Sequence, residues 1–176
     1  RVRRIEILLQ AAAKLSIPFH VTLVGGEEKT SSLSRPGYLN ELKKLCISLK
    51  INDRVTFVGS VAQDELFNWY SKGDIFVYPS LAEGFGIPPL EAAATKSNVI
   101  CSKSTAMKEF DFFSPYHLDP TNDEQLGKAL KDLNIQTRNE DRLIKISELV
   151  KNNYSWESSA KKMSQIIMSF KTQKIS

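Results

Sequence analysis

The sequence is poor in metal ligands and reactive thiols: it holds two cysteines and two histidines in 176 residues. Cys46 and Cys101 stand far apart, and neither they nor His20 and His117 have metal-ligand spacing or outline a disulfide framework. A reducing, cytoplasmic setting is the simplest expectation. No Asp-x-Asp pattern occurs, so metal assistance is not indicated on this chain. No apolar run reaches the length of a membrane span, and no stretch reads as a signal peptide. Internal repeats and low-complexity tracts are missing. A Gly-x-Gly-x-x-Gly turn is missing too, which argues against a nicotinamide- or flavin-binding unit. Aromatic and basic residues do not interleave, so no nucleic-acid partner is expected.

What is present fits one soluble domain with a real core. The formal net charge of +4 comes from Lys and Arg interleaved with Glu and Asp, a pattern of solvated helix faces. The chain opens on Arg1-Val2-Arg3-Arg4 without an initiator Met, just ahead of a helical pattern. It is therefore expected to be a piece of a longer protein. Ile5, Leu8, Leu9, Ala12 and Leu15 recur at helical spacing, as do Leu39, Leu42, Leu45, Cys46 and Leu49. Strands are expected at Phe19–Val24 (closed by Gly25-Gly26), Arg54–Val58, Asp74–Tyr78, Val99–Cys101 and Tyr116–Leu118, with a polar loop around Pro36. The apolar run ending at Tyr78 reads as the strand buried on both faces.

Ser60 with Gln63, Thr121 with Glu124 and Thr137 with Glu140 have the form of capping boxes. Ser155 should cap a last helix whose stripe is Trp156, Ala160, Met163, Ile167 and Phe170, with Trp156 and Met163 packed. Strands alternating with helices predict an α/β fold: a Rossmann-like, doubly wound parallel sheet with helices on both faces and a C-terminal helical extension. Such a sheet normally begins with a strand, so a first strand is expected upstream.

The chemistry concentrates in Pro79-Ser80-Leu81-Ala82-Glu83-Gly84-Phe85-Gly86-Ile87-Pro88-Pro89-Leu90-Glu91-Ala92. It follows a buried strand and leads into a helix, where open α/β sheets bind ligands. A helix N-terminus there offers free N–H groups and positive partial charge to an anion. Gly84 and Gly86 let the backbone approach a ligand. Pro88 and Pro89 lack N–H groups, which leaves Phe85, Gly86 and Ile87 as donors. Glu83 and Glu91, seven residues apart, are carboxylates able to accept from hydroxyl pairs, so the pattern suits a ligand with polyol groups on both sides of an anionic centre.

This stretch resembles the signature of the retaining glycosyltransferases of family 4, the glycogen-synthase-like group with two Rossmann-like domains. The Glu-x7-Glu spacing, the Gly-Phe-Gly triplet, the preceding Pro-Ser and the following Glu-Ala carry the resemblance. Val21–Gly26, Arg54–Gly59 and Tyr154-Ser155-Trp156-Glu157 extend it over nearly the whole chain. The resemblance implies that residues 1–176 form the nucleotide-sugar-binding C-terminal half, the acceptor domain lying upstream. It places Glu91 on the ribose and Glu83, the candidate catalytic residue, with the backbone of Phe85 and Gly86 at the transferred sugar, and it counts Gly84 among the donor-binding residues. Ile87 would meet the nucleotide and phosphate, Gly59 and Ser60 the base, and Arg3 the diphosphate. No general base is assigned.

The implied reaction is retaining, metal-independent transfer from a nucleotide-diphosphate sugar to a saccharide or lipid-linked acceptor. The donor is a substrate and no cofactor is expected. The Ile87-Pro88-Pro89 variant resembles that of mannosyl- and related hexosyltransferases, which favours a GDP-sugar over a UDP-sugar. Bacterial polysaccharide synthesis follows by resemblance, with the whole protein at the inner face of the membrane. A non-catalytic module keeping the pocket for regulation is the alternative. Lys96-Ser97-Asn98 and Ser102–Lys108 depart from the family's small-residue and Gly-rich turns, both near the sugar end.

Overall fold

A computed structural model describes residues 3–25 and 37–173, with side chains as far as residue 170. Arg1, Gly26 and the polar loop to Pro36 lie outside the described residues. Helices and strands alternate from the start: α1 (Ile5–Ala13), β1 (Val21–Val24), α2 (Tyr38–Ser48), β2 (Val55–Gly59), α3 (Leu66–Lys72), β3 (Ile75–Tyr78), α4 (Ile87–Ala94), β4 (Asn98–Ser102) and β5 (His117–Leu118). Three helices follow, α5 (Asp123–Ile135), α6 (Glu140–Tyr154) and α7 (Trp156–Gln173).

Every ladder is parallel, as crossover helices require. Val21 of β1 faces Val55 of β2, Ile75 of β3 faces Asn98 of β4, and Cys101 of β4 faces His117 of β5. The ladders form two groups, β1-β2 and β3-β4-β5. Among the described residues no strand joins β1 to β3.

Strand alternation divides the core into two faces. Ile75 and Val77 of β3, with Ile100 of β4, turn toward Ile7, Leu8 and Ala11 of α1 and Leu126, Ala129 and Leu130 of α5. Phe76 and Tyr78, with Val99 and Cys101, turn the other way, toward Leu90, Ala92 and Ala93 of α4 and Val150 of α6. A third cluster joins Leu9 of α1 and Leu42 and Cys46 of α2 to Val55 of β2. Helices therefore cover both faces. Each buried Val, Leu or Ile side chain contributes about 1.5–3 kcal/mol of hydrophobic stabilisation.

The strand buried on both sides is β4, all five of whose residues are buried; β3, expected in that role, is half-buried throughout. The reason is position: β4 is central in its sheet, and β3 is an edge of it.

Three expected capping boxes do not form. Glu65 precedes α3 and accepts from Ala62 N–H, so Ser60 and Gln63 lie outside the helix. Asn122 caps α5 by accepting from Gln125 N–H at 2.9 Å, while Thr121 donates its hydroxyl to Asp119. Asn139 caps α6 by accepting from Arg142 N–H at 3.0 Å. Asn caps at least as well as Thr, and here it stands at the boundary residue. Ser155 does cap α7, accepting from Ser158 N–H at 3.1 Å. The stripe of α7 is not packed: Trp156 is 92% exposed, and Met163, Ile167 and Phe170 are exposed as well. No described helix is long and apolar enough to cross a membrane.

Candidate functional site

Parallel strands and their crossover helices run in opposite directions. The N-terminus of α1 therefore lies at the carboxyl end of the β3-β4-β5 sheet. Ile7 lines a small hollow there with Tyr78, Pro79, Cys101, Ser102 and Leu118. The turn from Pro79 to Gly86 starts at this same edge.

The turn is anchored from inside. Ser80 is fully buried, and its carbonyl accepts from the hydroxyls of Ser102, the last residue of β4, and Ser104, just past it. Ser80 Oγ donates to Glu83 Oε1 at 2.8 Å. Tyr78 Oη donates to the same oxygen at 2.8 Å. Glu83 is half-buried, its carboxylate held by two hydroxyls from the strand end. Its main chain is held separately: Glu83 N–H donates to Thr105 Oγ1 at 3.0 Å, and that hydroxyl donates back to Glu83 O at 3.1 Å. Thr105 occupies the left-handed region, φ 48°, which is costly for a β-branched residue.

Gly86 caps α4 at φ 95°, and a Cβ there would stand 2.6 Å from Met107 Cγ. The fold therefore demands glycine at this position. Gly84 is different: its φ lies outside the left-handed region, and a Cβ there would meet nothing within 4 Å. Packing among the described residues gives no reason for a glycine at 84. Phe85 packs edge-on against Phe110 and Tyr154, fixing the backbone between the two glycines. The side chain of Ile87 is exposed, and Pro88 and Pro89 complete the first turn of α4.

Glu91 lies one turn further on, half-buried, and accepts from Tyr70 Oη at 2.8 Å. Tyr70 comes from α3, whose end is tied to the α4–β4 turn by Ser97 Oγ donating to Tyr70 O at 2.6 Å. Burial first, and then the Glu91 carboxylate, push the Tyr70 phenol well above its usual range. Burial and then Glu83 do the same at Tyr78, while the Arg3 charge pulls the other way. Both phenols are therefore protonated donors throughout the neutral range.

That influence places Arg3, an exposed residue, within electrostatic reach of the site. Arg4 holds φ 50° at the N-terminus of α1, and its Nε is buried with no hydrogen-bond partner among the described residues. Cations at a helix N-terminus oppose its dipole by about 0.3–1 kcal/mol each when exposed. Gly59 and Ser60 stand at the end of β2, where Gly59 takes φ 82° and accepts from Gly25 N–H at 2.8 Å. They share no hydrogen bond with Glu83 or Glu91 among the described residues.

The structure thus brings Arg3, Glu83, Gly84, Phe85, Gly86, Ile87 and Glu91 to one edge of the fold, with Gly59 and Ser60 on the neighbouring sheet. Tyr70, Tyr78 and Thr105 are not among the site residues the sequence points to, and Ser80 enters there only as part of the Pro-Ser pair. Tyr78 and Ser80 flank Pro79 beside the acidic turn and were within reach of a closer reading. Tyr70 and Thr105 carry no local signal. Both departures from the family pattern keep a left-handed residue, Lys96 at φ 63° and Thr105 at φ 48°.

Residues 1–150 match the family model described as glycosyl transferases group 1. The chain belongs to this family. As a group 1 glycosyl transferase chain it is 35% identical over 99 residues to the O-antigen chain mannosyltransferase RfbU of Salmonella typhimurium, covering 56% of this chain and 28% of that protein. It is 30% identical over 182 aligned residues to the D-inositol 3-phosphate glycosyltransferase of Corynebacterium urealyticum, covering 98% of this chain and 41% of that one. The chain spans less than half the length of these curated relatives.

Among solved structures, this glycosyl transferase chain superposes on sucrose-phosphate synthase from Thermosynechococcus elongatus with a TM-score of 0.83 at 26% identity, over 98% of this chain and 43% of that one. The C-terminal domain of the group 1 glycosyl transferase LpcC from Francisella tularensis gives 0.70 at 25% identity, over 88% and 81%. Anabaena HepE in complex with UDP-glucose shares the fold, with a TM-score of 0.83 at 18% identity over 96% and 46%.

Proposed function

We propose that this chain is the donor-binding half of a two-domain, retaining hexosyltransferase, holding a nucleotide-diphosphate sugar across the turn from Glu83 to Glu91. The observation that carries the reading is the pair of glutamates, each fixed by a protonated phenol beside a cationic helix start. Glu91 takes the ribose hydroxyls. Glu83, with the backbone of Gly84, Phe85 and Gly86, takes the transferred sugar. The diphosphate lies between the N–H groups at the start of α4 and Arg3. Gly59 and Ser60 approach the base from the end of β2.

As the glycosidic bond breaks, negative charge grows on the leaving diphosphate. Fixed cations and helix N–H groups stabilise it electrostatically, without a metal ion or cofactor. The mannosyltransferase relative and the Ile87-Pro88-Pro89 sequence favour a GDP-sugar. UDP-sugars come second, on the UDP-glucose bound to HepE. A preceding domain presents a saccharide or lipid-linked acceptor. The whole protein works in the cytoplasm, peripherally at the inner face of the membrane.

The test is an NMR titration of the chain with GDP, UDP, GDP-mannose and UDP-glucose, repeated with Glu91→Ala. Shifts clustered at residues 83–91 that need at least about tenfold more nucleotide in the variant are expected. Silence with every nucleotide overturns the reading. Nucleotide-sugar binding without transfer by a protein carrying both halves favours a non-catalytic module.

A further inference from the structure

The two glutamates stand over a continuous row of rings. Alternation along β3 puts Phe76 and Tyr78 on the same face, their rings stacked with centroids 6.1 Å apart. Tyr70 packs edge-on against Phe76 at 5.3 Å. Each phenol thus rises from a fixed aromatic base, and each ends on a different carboxylate.

The bonds are selective for one oxygen. Tyr78 and Ser80 both donate to Oε1 of Glu83, and Tyr70 donates to Oε2 of Glu91. Among the described residues the second oxygen of each carboxylate takes no hydrogen bond. A glutamate side chain loses considerable rotamer freedom when a ligand must order it. A phenol that holds one oxygen in advance orders the side chain before binding and leaves the other to accept from a ligand hydroxyl.

We propose that Tyr70 and Tyr78 are positioning residues acting on separate ends of the donor: Tyr70, through Glu91, on the nucleotide, and Tyr78, through Glu83, on the transferred sugar. The inference rests on the donor-site reading above and divides that site into two independently tunable halves. Neither tyrosine needs to touch the donor. Tyr→Phe is a clean probe, because the ring keeps its place against Phe76 and only the hydroxyl is lost.

The experiment measures dissociation constants of the 176-residue chain for GDP, GDP-mannose, UDP and UDP-glucose by calorimetry or NMR, with thermal unfolding as the control for folding. Y70F should weaken the diphosphate and its sugar conjugate alike, by about tenfold. Y78F should leave the diphosphate within about twofold and weaken the conjugate by about tenfold. S80A, acting on the same oxygen of Glu83, is the second probe of the sugar end and should repeat the Y78F pattern. Because Tyr70 acts through Glu91, Y70F should add nothing in an E91A background.

Wild-type binding that neither Y70F nor Y78F alters overturns the proposal while the donor-site reading stands. An undiminished Y70F effect in the E91A background does the same, since it would mark a packing role. A wild-type chain that binds no nucleotide overturns the donor-site reading, and this inference with it.

Discussion

Gly86 and Met107 are packed so closely that a Cβ on the glycine would stand 2.6 Å from the methionine Cγ, with the Phe110 ring at 3.1 Å. Gly86 also holds φ 95°. Gly86→Ala therefore meets left-handed strain of about 1–2 kcal/mol and overpacking of about 1–3 kcal/mol. The melting temperature should fall by roughly 5–15 °C in a domain of this size. Gly84→Ala meets neither penalty and should melt within about 2 °C of the parent. On the donor-site reading it should still weaken sugar-nucleotide binding, because the ligand rather than the fold occupies the space. Thermal unfolding of the two variants checks the contrast, and equal melting shifts would refute it.

Thr105 ties both main-chain groups of Glu83 with one hydroxyl. Thr105→Gly relieves the left-handed strain and removes the tie. Thr105→Ala removes the tie and keeps the strain. In both, amide hydrogen exchange at Glu83 should accelerate, by about tenfold for a lost bond of ordinary strength. Thr105→Ala should also be the less stable of the two. Unchanged exchange at Glu83 in both variants would show that the turn is held by Ser80 and Tyr78 alone.

His117 donates through Nε2 to Met107 O at 2.9 Å, and burial lowers its pKa below the ordinary 6.5. The hydrogen bonds to the Met107 and Ser102 backbone oppose that shift without cancelling it. The unfolded chain thus takes up this proton at a higher pH than the folded one. The stability that His117 contributes is complete above its unfolded pKa and erodes as pH falls through 6.5 toward the folded value. Melting temperature should decline between about pH 7.5 and about pH 5.5. His117→Gln, which keeps an N–H donor without titrating, should flatten that decline. An identical slope in the variant would count against the assignment.

Cys46 and Cys101 are both buried. Burial pushes the Cys101 thiol up to about 12, and burial raises Cys46 as well. Thiolate is the reactive form, so both should resist a disulfide reagent at about pH 8 in the folded chain. Both should titrate at once in denaturant. Rapid labelling of the native protein would contradict their packing.

Much of the architecture was readable along the chain, because it rests on local periodicity. Each strand expected from Phe19 to Leu118 lies within a few residues of an observed one, and the helical stripes at Ile5–Leu15 and Leu39–Leu49 fall on α1 and α2. The stretch from Pro79 to Ala92 was recognisable because its glycines, prolines and carboxylates sit at fixed spacing. The errors have physical causes. Thr121 and Thr137 had the right spacing for caps, but Asn122 and Asn139 stand at the actual boundaries. The apolar run of β3 read as doubly buried, yet burial depends on neighbouring strands, and among the described residues β3 has β4 on one side only. The stripe of α7 has the period of a packed helix, but period alone does not supply a partner surface.

By itself, then, the sequence determined the order of elements, the parallel α/β class and the turn where carboxylates and helix N–H groups meet. Each depends on residues within a few positions of one another. Only the tertiary structure decided how those carboxylates are held. Tyr70 and Glu91 are separated by 21 positions, and Thr105 and Glu83 by 22. Their hydrogen bonds exist because α3 packs beside α4, and because β4 runs parallel to β3 and delivers its following loop to the same edge. Contacts of that kind are products of chain crossover, and no local pattern announces them.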